Sequence, residues 1–139
     1  MMHKTQQGFS LVELMIAVAI IGILAAIGYP SYTSFIMDSR RTDAQEALLG
    51  FANAMERFKT ENMTYVGAGT AGVGNAIGTP AATTFPSQTP VDGNNKFYNL
   101  TIVSAASLTY TLRATPIAGT SQATDGYMEM LSVGSRRWD

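Results

Sequence analysis

Glu13 is the only Asp, Glu, Lys, Arg or His between Phe9 and Met37. A carboxylate one or two turns into an apolar helix is expensive, is a functional candidate by default, and has a cation as its natural partner. The alternative is that Glu13 lies near an interface and reaches water by snorkelling. Little else in the chain has catalytic parts. There is no cysteine and the one histidine is His3, so Ser-His-Asp, Cys-His and thiolate- or His-ligated metal mechanisms lack their groups, and the chain does not read as an enzyme. Asp92, Asp125 and Glu129 are oxygen donors of the kind Ca²⁺ takes, but they lack a compact ligand spacing, so they read as solvated loop acids, with no metal or other cofactor.

Two other sets of residues invite a functional reading and fail it. The aromatics Phe9, Tyr29, Tyr32, Phe35, Phe51 and Phe58 are spaced as packing residues, not as an electron-carrying stack. The tripeptides Asn62-Met63-Thr64 and Asn99-Leu100-Thr101 fit the N-glycosylation pattern at the level expected by chance. Arg40, Arg41, Arg57, Lys59, Lys96, Arg113, Arg136 and Arg137 are scattered in a chain of formal net charge −1. No dense positive stripe of the kind phosphate neutralisation needs is identifiable, so no direct nucleic-acid site is assigned.

These residues must be positioned by a small set of elements. Residues 9–29 are nearly all Leu, Ile, Val, Ala, Met and Gly, and as a helix they would be about 32 Å long, the thickness of a bilayer core. Pro30 lacks an N–H and its ring clashes with the preceding turn, so a bend or opening is expected near Gly28, with Gly22 weakening the helix further back. The helical pattern resumes over residues 31–62, where Ala44, Leu48, Phe51, Ala52, Met55 and Phe58 recur at three- and four-residue steps to form an amphipathic helix. Residues 66–90, with Gly67, Gly69, Gly72, Gly74 and Gly78 followed by Pro80, Pro86 and Pro90, predict a long surface loop, or a linker if a second domain lies beyond. Strands are expected at 97–104, 108–115 and 127–133, joined as an antiparallel meander and covered by the apolar face of the helix, which makes the fold α+β.

At the start of the apolar run stands Lys4-Thr5-Gln6-Gln7-Gly8-Phe9-Ser10-Leu11-Val12-Glu13-Leu14. It resembles the N-terminus of type IV pilins and pseudopilins, in which a short basic leader ending in Gly precedes Phe and Glu is fifth in the mature chain. Tyr29-Pro30-Ser31-Tyr32, and the stretch from Ser39-Arg40-Arg41-Thr42-Asp43-Ala44-Gln45 through Met55-Glu56-Arg57-Phe58, are similar to the long helix of type IVa pilins with short leaders. About half the chain is covered closely; beyond Tyr65 the likeness is one of general layout, a loop followed by a meander.

The resemblance implies a pilin fold and the following expectations. Residues 1–8 form a cytoplasmic leader. A prepilin peptidase cuts between Gly8 and Phe9 and methylates the new amine of Phe9. Residues 9–30 form a transmembrane and then filament-core helix, and residues 31–139 a periplasmic, later extracellular, domain: helix 31–62, loop 66–90 and meander 97–138. Glu13 pairs with the N-terminal amine of a neighbouring subunit during assembly, neutralising both charges in an apolar bundle. Gly22, Gly28 and Pro30 mark a segment that unwinds in the filament. The partners would be other pilin subunits, the peptidase, the bacterial inner membrane and its assembly platform. The product would be a retractable type IV pilus, with the chain as a major or minor subunit, serving twitching motility, adhesion or DNA uptake. A pseudopilin of a type II secretion or competence system shares the same N-terminus, and a membrane-anchored protein that never polymerises is a third reading. Many such pilins close the C-terminal region with a disulfide. This chain has none, so strand pairing and burial of Trp138 are expected to hold that end, with Tyr127 where a Cys is common.

Overall fold

The structure, a computed structural model, describes residues 8–70 and 78–138. Most of the leader expected at 1–8, and the middle of the loop expected at 66–90, lie outside the described residues. Two compact units divide the chain, the first ending at Ile36 and the second beginning at Met37. One helix, α1 (Leu11–Asn62), contributes to both.

In the first unit, α1 is helical through Pro30. Proline removes a single ladder bond, and the turn around it gains three hydroxyl donors: Ser31 Oγ to the Ile27 carbonyl at 3.2 Å, and Thr33 Oγ1 and Ser34 Oγ to the Pro30 carbonyl at 2.8 and 3.1 Å. Such back-bonds bend helices more often than they open them. The large apolar side chains from Phe9 to Phe35 are between 52% (Ile20) and 84% (Phe9) exposed, and an 18-residue window of this helix has a mean hydropathy of 2.6 and no buried residue. Among the described residues of this unit nothing covers this surface.

In the second unit, α1 buries Ala44, Ala47, Leu48, Phe51, Ala54 and Met55, the three- and four-residue step of one helix face. Ala52 and Phe58, expected on that face, are only partly buried at its margin. The helix ends at Asn62 with Met63 in the left-handed region (φ 61°), its N–H bonded to the Lys59 carbonyl at 2.7 Å, in a position that glycine usually takes.

The sheet has five antiparallel strands in chain order: β1 (Gln88–Thr89), β2 (Tyr98–Ala105), β3 (Tyr110–Pro116), β4 (Met128–Leu131) and β5 (Arg136–Trp138). The three central strands fall within one or two residues of the expected boundaries, and the meander is as expected. Alternation sets its faces: Tyr98, Leu100 and Ile102 on β2, and Tyr110, Leu112 and Ala114 on β3, join Met128 and Met130 in one buried cluster with the helix.

The stretch read as a surface loop is pinned at several places. It supplies β1, and Leu100 donates to the Ser87 carbonyl. Gly78 and Ile102 exchange both backbone hydrogen bonds at 2.7 Å; with φ +113° this bridge needs glycine. The loop thereby satisfies the outer edge of β2, which would otherwise present unpaired donors and acceptors.

Two expectations about the C-terminal end are corrected. Trp138 is 37% exposed rather than buried, because it lies on edge strand β5 and is placed by backbone pairing opposite Met128. Asp125 and Glu129 are not solvated loop acids. Glu129 lies on β4 opposite Arg113 and accepts from its Nη2 at 2.6 Å, and Asp125 is drawn inward by the contacts described below.

Candidate functional site

Gly8 and Phe9 precede the helix and are exposed, so the Gly8–Phe9 peptide bond lies outside regular structure. The helix starts on a reciprocal cap: Ser10 N–H donates to Glu13 Oε2 at 2.9 Å, and Val12 N–H to Ser10 Oγ at 3.3 Å. Ser10-Leu11-Val12-Glu13 is thus a Ser-x-x-Glu capping box, in which a hydroxyl and a carboxylate satisfy donors that the first turn leaves free. The signal for this cap is local, a Ser followed three residues later by Glu at the start of an apolar run. Glu13 therefore orders the backbone next to Phe9, and its negative charge suits the positive end of the helix dipole. Its position leaves it among exposed apolar side chains.

Gly22 and Gly28 lie in the same helix, and a side chain added at either would meet nothing within 4 Å. Among the described residues no contact demands glycine there. With Pro30 they form a stretch of low helix propensity in an exposed apolar surface. The structure thus places Gly8, Phe9 and Glu13 together at the helix start, and Gly22, Gly28 and Pro30 farther along the same element.

Local sequence did not signal a second polar centre, which lies between α1, β2 and the segment after β3. Arg41 on α1 donates to Asp125 Oδ1 at 3.0 Å, the Tyr98 hydroxyl donates to Asp125 Oδ2, and Arg40 donates to Ser121 Oγ. Gln122 is fully buried, and its Nε2 donates to the Tyr98 hydroxyl at 2.8 Å and to the Met37 carbonyl at 3.2 Å. The segment after β3 is therefore tied to both the helix and β2. The guanidinium of Arg40 also lies 3.8 Å above the ring of Phe97. On the other face of the sheet Arg113 sits 4.5 Å over Tyr127, the residue expected where relatives carry a Cys.

Burial, reinforced by the bond to Asp125, pushes the Tyr98 hydroxyl up to about 12. Burial and then the bond to Glu56 push Tyr65 up to about 12. Tyr110 is raised as well, by burial and then by the Glu56 charge. Raised folded values mean that the fold favours the neutral phenols. Their contribution is complete below the ordinary tyrosine value near 10 and is lost as pH rises through about 12. Unfolding by urea is thus expected to become easier between pH 9 and about 12, and Tyr98→Phe should flatten that dependence. An equal pH slope in the two proteins would show that Tyr98 is not a source of it.

Comparison with known proteins places both halves of this geometry. The family described as "Type IV minor pilin ComP, DNA uptake sequence receptor" matches residues 30–126, and the "Prokaryotic N-terminal methylation motif" matches residues 3–29. Fimbrial protein EcpC of Eikenella corrodens is 33% identical over 144 residues, covering 100% of this chain and 84% of that protein. The type IV major pilin protein PilA of Myxococcus xanthus is 44% identical over 63 residues, covering 45% of this chain and 29% of that protein. The non-core minor pilin PilV of Neisseria meningitidis shares the fold with a TM-score of 0.57 and 18% identity, covering 76% of this chain and 89% of that one. The chain belongs to the type IV pilins, the structural subunits of type IV pili.

Proposed function

We propose that the chain is inserted in the bacterial inner membrane through residues 9–30, with residues 31–139 on the periplasmic side. It is cut between Gly8 and Phe9 by a prepilin peptidase, methylated on the Phe9 amine, and passed by the assembly platform into a retractable surface filament. The observation that carries this reading is the exposed apolar half of α1, with no buried residue in its 18-residue window. A surface of that kind requires a lipid or a bundle of like helices. Glu13 then has two roles: it caps its own helix and pairs with the Phe9 amine of a neighbour, so that two charges enter the bundle together. Gly22, Gly28 and Pro30 supply the segment that unwinds when neighbours satisfy its backbone. The reading is tested by blotting filaments sheared from cells: the chain should be present in the shear fraction and stay with the membrane when the assembly platform is deleted. Short periplasmic fibres with none at the surface would favour a secretion pseudopilin.

The family match favours DNA uptake among the uses of such a filament, because the matched family is described as a DNA uptake sequence receptor. The basic groups offer limited support. Arg41 and Arg113 are held by carboxylates, and Lys96 donates to the Pro90 and Val91 carbonyls. A deletion strain that takes up DNA at the wild-type frequency would remove this use while leaving the filament reading intact.

A further inference from the structure

Two surfaces of the second unit, at opposite edges of the sheet, have complementary charge. At the β5 edge, Arg136, Arg137 and Trp138 are exposed, and neither arginine has an ion pair or hydrogen bond among the described residues. Arg136 and Trp138 stand opposite the core methionines Met130 and Met128, which turns them to the helix side of the sheet. Arg137 stands opposite Glu129 on the other side. At the β1 edge, on the helix side, a groove of about 390 Å³ runs between α1 and the loop around β1, lined by Asp43, Glu46, Phe85, Pro90, Val91 and Asp92 among others. Three carboxylates rim it, no basic residue lines it, and its floor is apolar. Strand spacing puts the two edges roughly 19 Å apart, beyond the reach of an arginine side chain, so one chain cannot satisfy itself.

We propose that the β5 edge of one subunit docks into the acidic groove of a second copy of this chain, Trp138 lying on Phe85, Pro90 and Val91 while Arg136 pairs with Asp43, Glu46 and Asp92. The proposal rests on the filament reading. The two surfaces differ, so the contact is heterologous and does not close on itself as a two-fold dimer does; repeated copies propagate as an open helix. Charge complementarity of this kind fixes register and orientation more than it adds raw affinity. The contact thus assigns the outer domain a part in setting subunit order, separate from the grip of the helices.

The chain has no native cysteine, so site-directed crosslinking is clean. Ser135 stands beside the arginines and Val91 beside Asp92. Filaments of the full chain carrying both Ser135→Cys and Val91→Cys, mildly oxidised on cells, should give a ladder of dimers, trimers and larger species, whereas each single-cysteine chain should give none. Adding Arg136→Glu should cut the ladder roughly tenfold, and further adding Asp43→Lys with Glu46→Lys should restore it, which also shows that the altered chains fold. The contact is overturned by dimers from the Ser135→Cys chain alone, by crosslinks only to a different protein, or by filaments that contain the chain but give no ladder. Absence of the chain from the shear fraction removes the filament reading, and the contact with it.

Discussion

Glu13→Ala is expected to lower the amount of chain in sheared filaments on the order of a hundredfold, while the protein is still cut and retained in the membrane. The magnitude follows from the cost of an unpaired charge in an apolar bundle, about 2.5 to 3.5 kcal/mol at a helix centre. Without Glu13 the amine of a neighbouring subunit would enter that bundle alone. The capping role could confuse this result, since Glu13 also accepts from the Ser10 N–H, but loss of a cap is worth only about 1 kcal/mol. Glu13→Gln separates the two roles: the amide oxygen still accepts that bond while the charge is gone. If pairing with the amine drives assembly, Gln fails almost as badly as Ala. Near-normal filaments with Gln, together with failure of Ala, would assign Glu13 to the cap.

Asp125→Ala is expected to destabilise the second unit by about 3 kcal/mol, read as an earlier midpoint in urea unfolding of the detergent-solubilised chain. Its carboxylate receives Arg41 and Tyr98 in a site where the Asp125 side chain is 12% exposed and the Arg41 side chain 29%. Removing it leaves the Tyr98 hydroxyl beside the buried Gln122 with one fewer acceptor, and such a group costs about 1 to 3 kcal/mol when unsatisfied. Asp125→Asn keeps an acceptor for Tyr98 but no charge for Arg41, so about half of the loss is expected. An unchanged midpoint for the alanine variant would mean that the pairing of β4 with β5 holds the C-terminal end by itself. This network, with Arg113 and Glu129 across β3 and β4, ties the C-terminal region to the helix and the sheet through polar side chains.

The helix and the three central strands were legible because their signals are local. Leu48, Phe51 and Met55 repeat at helical steps, and Tyr110-Thr111-Leu112-Arg113-Ala114 alternates as a strand, although Leu108, expected on the same face, lies before it and is exposed. The weak elements were not. β1 is two residues in a Gly- and Pro-rich stretch, and β5 is Arg136-Arg137-Trp138, which lacks a β-branched residue and exists because β4 offers a free edge. Trp138 was expected inside because the C-terminal end lacks a disulfide to hold it, but an edge strand leaves even a large aromatic side chain partly in water. Asp125 sits in a Thr-Asp-Gly sequence that reads as a solvated turn. Its partners are 84 and 27 positions away, and no local pattern encodes a contact of that span. At the N-terminus the spacing of Gly8, Phe9 and Glu13 was legible; the cap at Ser10 and Glu13 was missed, although Ser-x-x-Glu is a local motif that signals it.

The central claim, a filament subunit that begins at Phe9 and is built on an exposed apolar helix, is tested most directly by the intact mass of the chain recovered from sheared surface filaments. The account predicts a single species lacking residues 1–8 and carrying one added methyl group on the Phe9 amine. A full-length chain in that fraction, or a cut at any other bond, would contradict it.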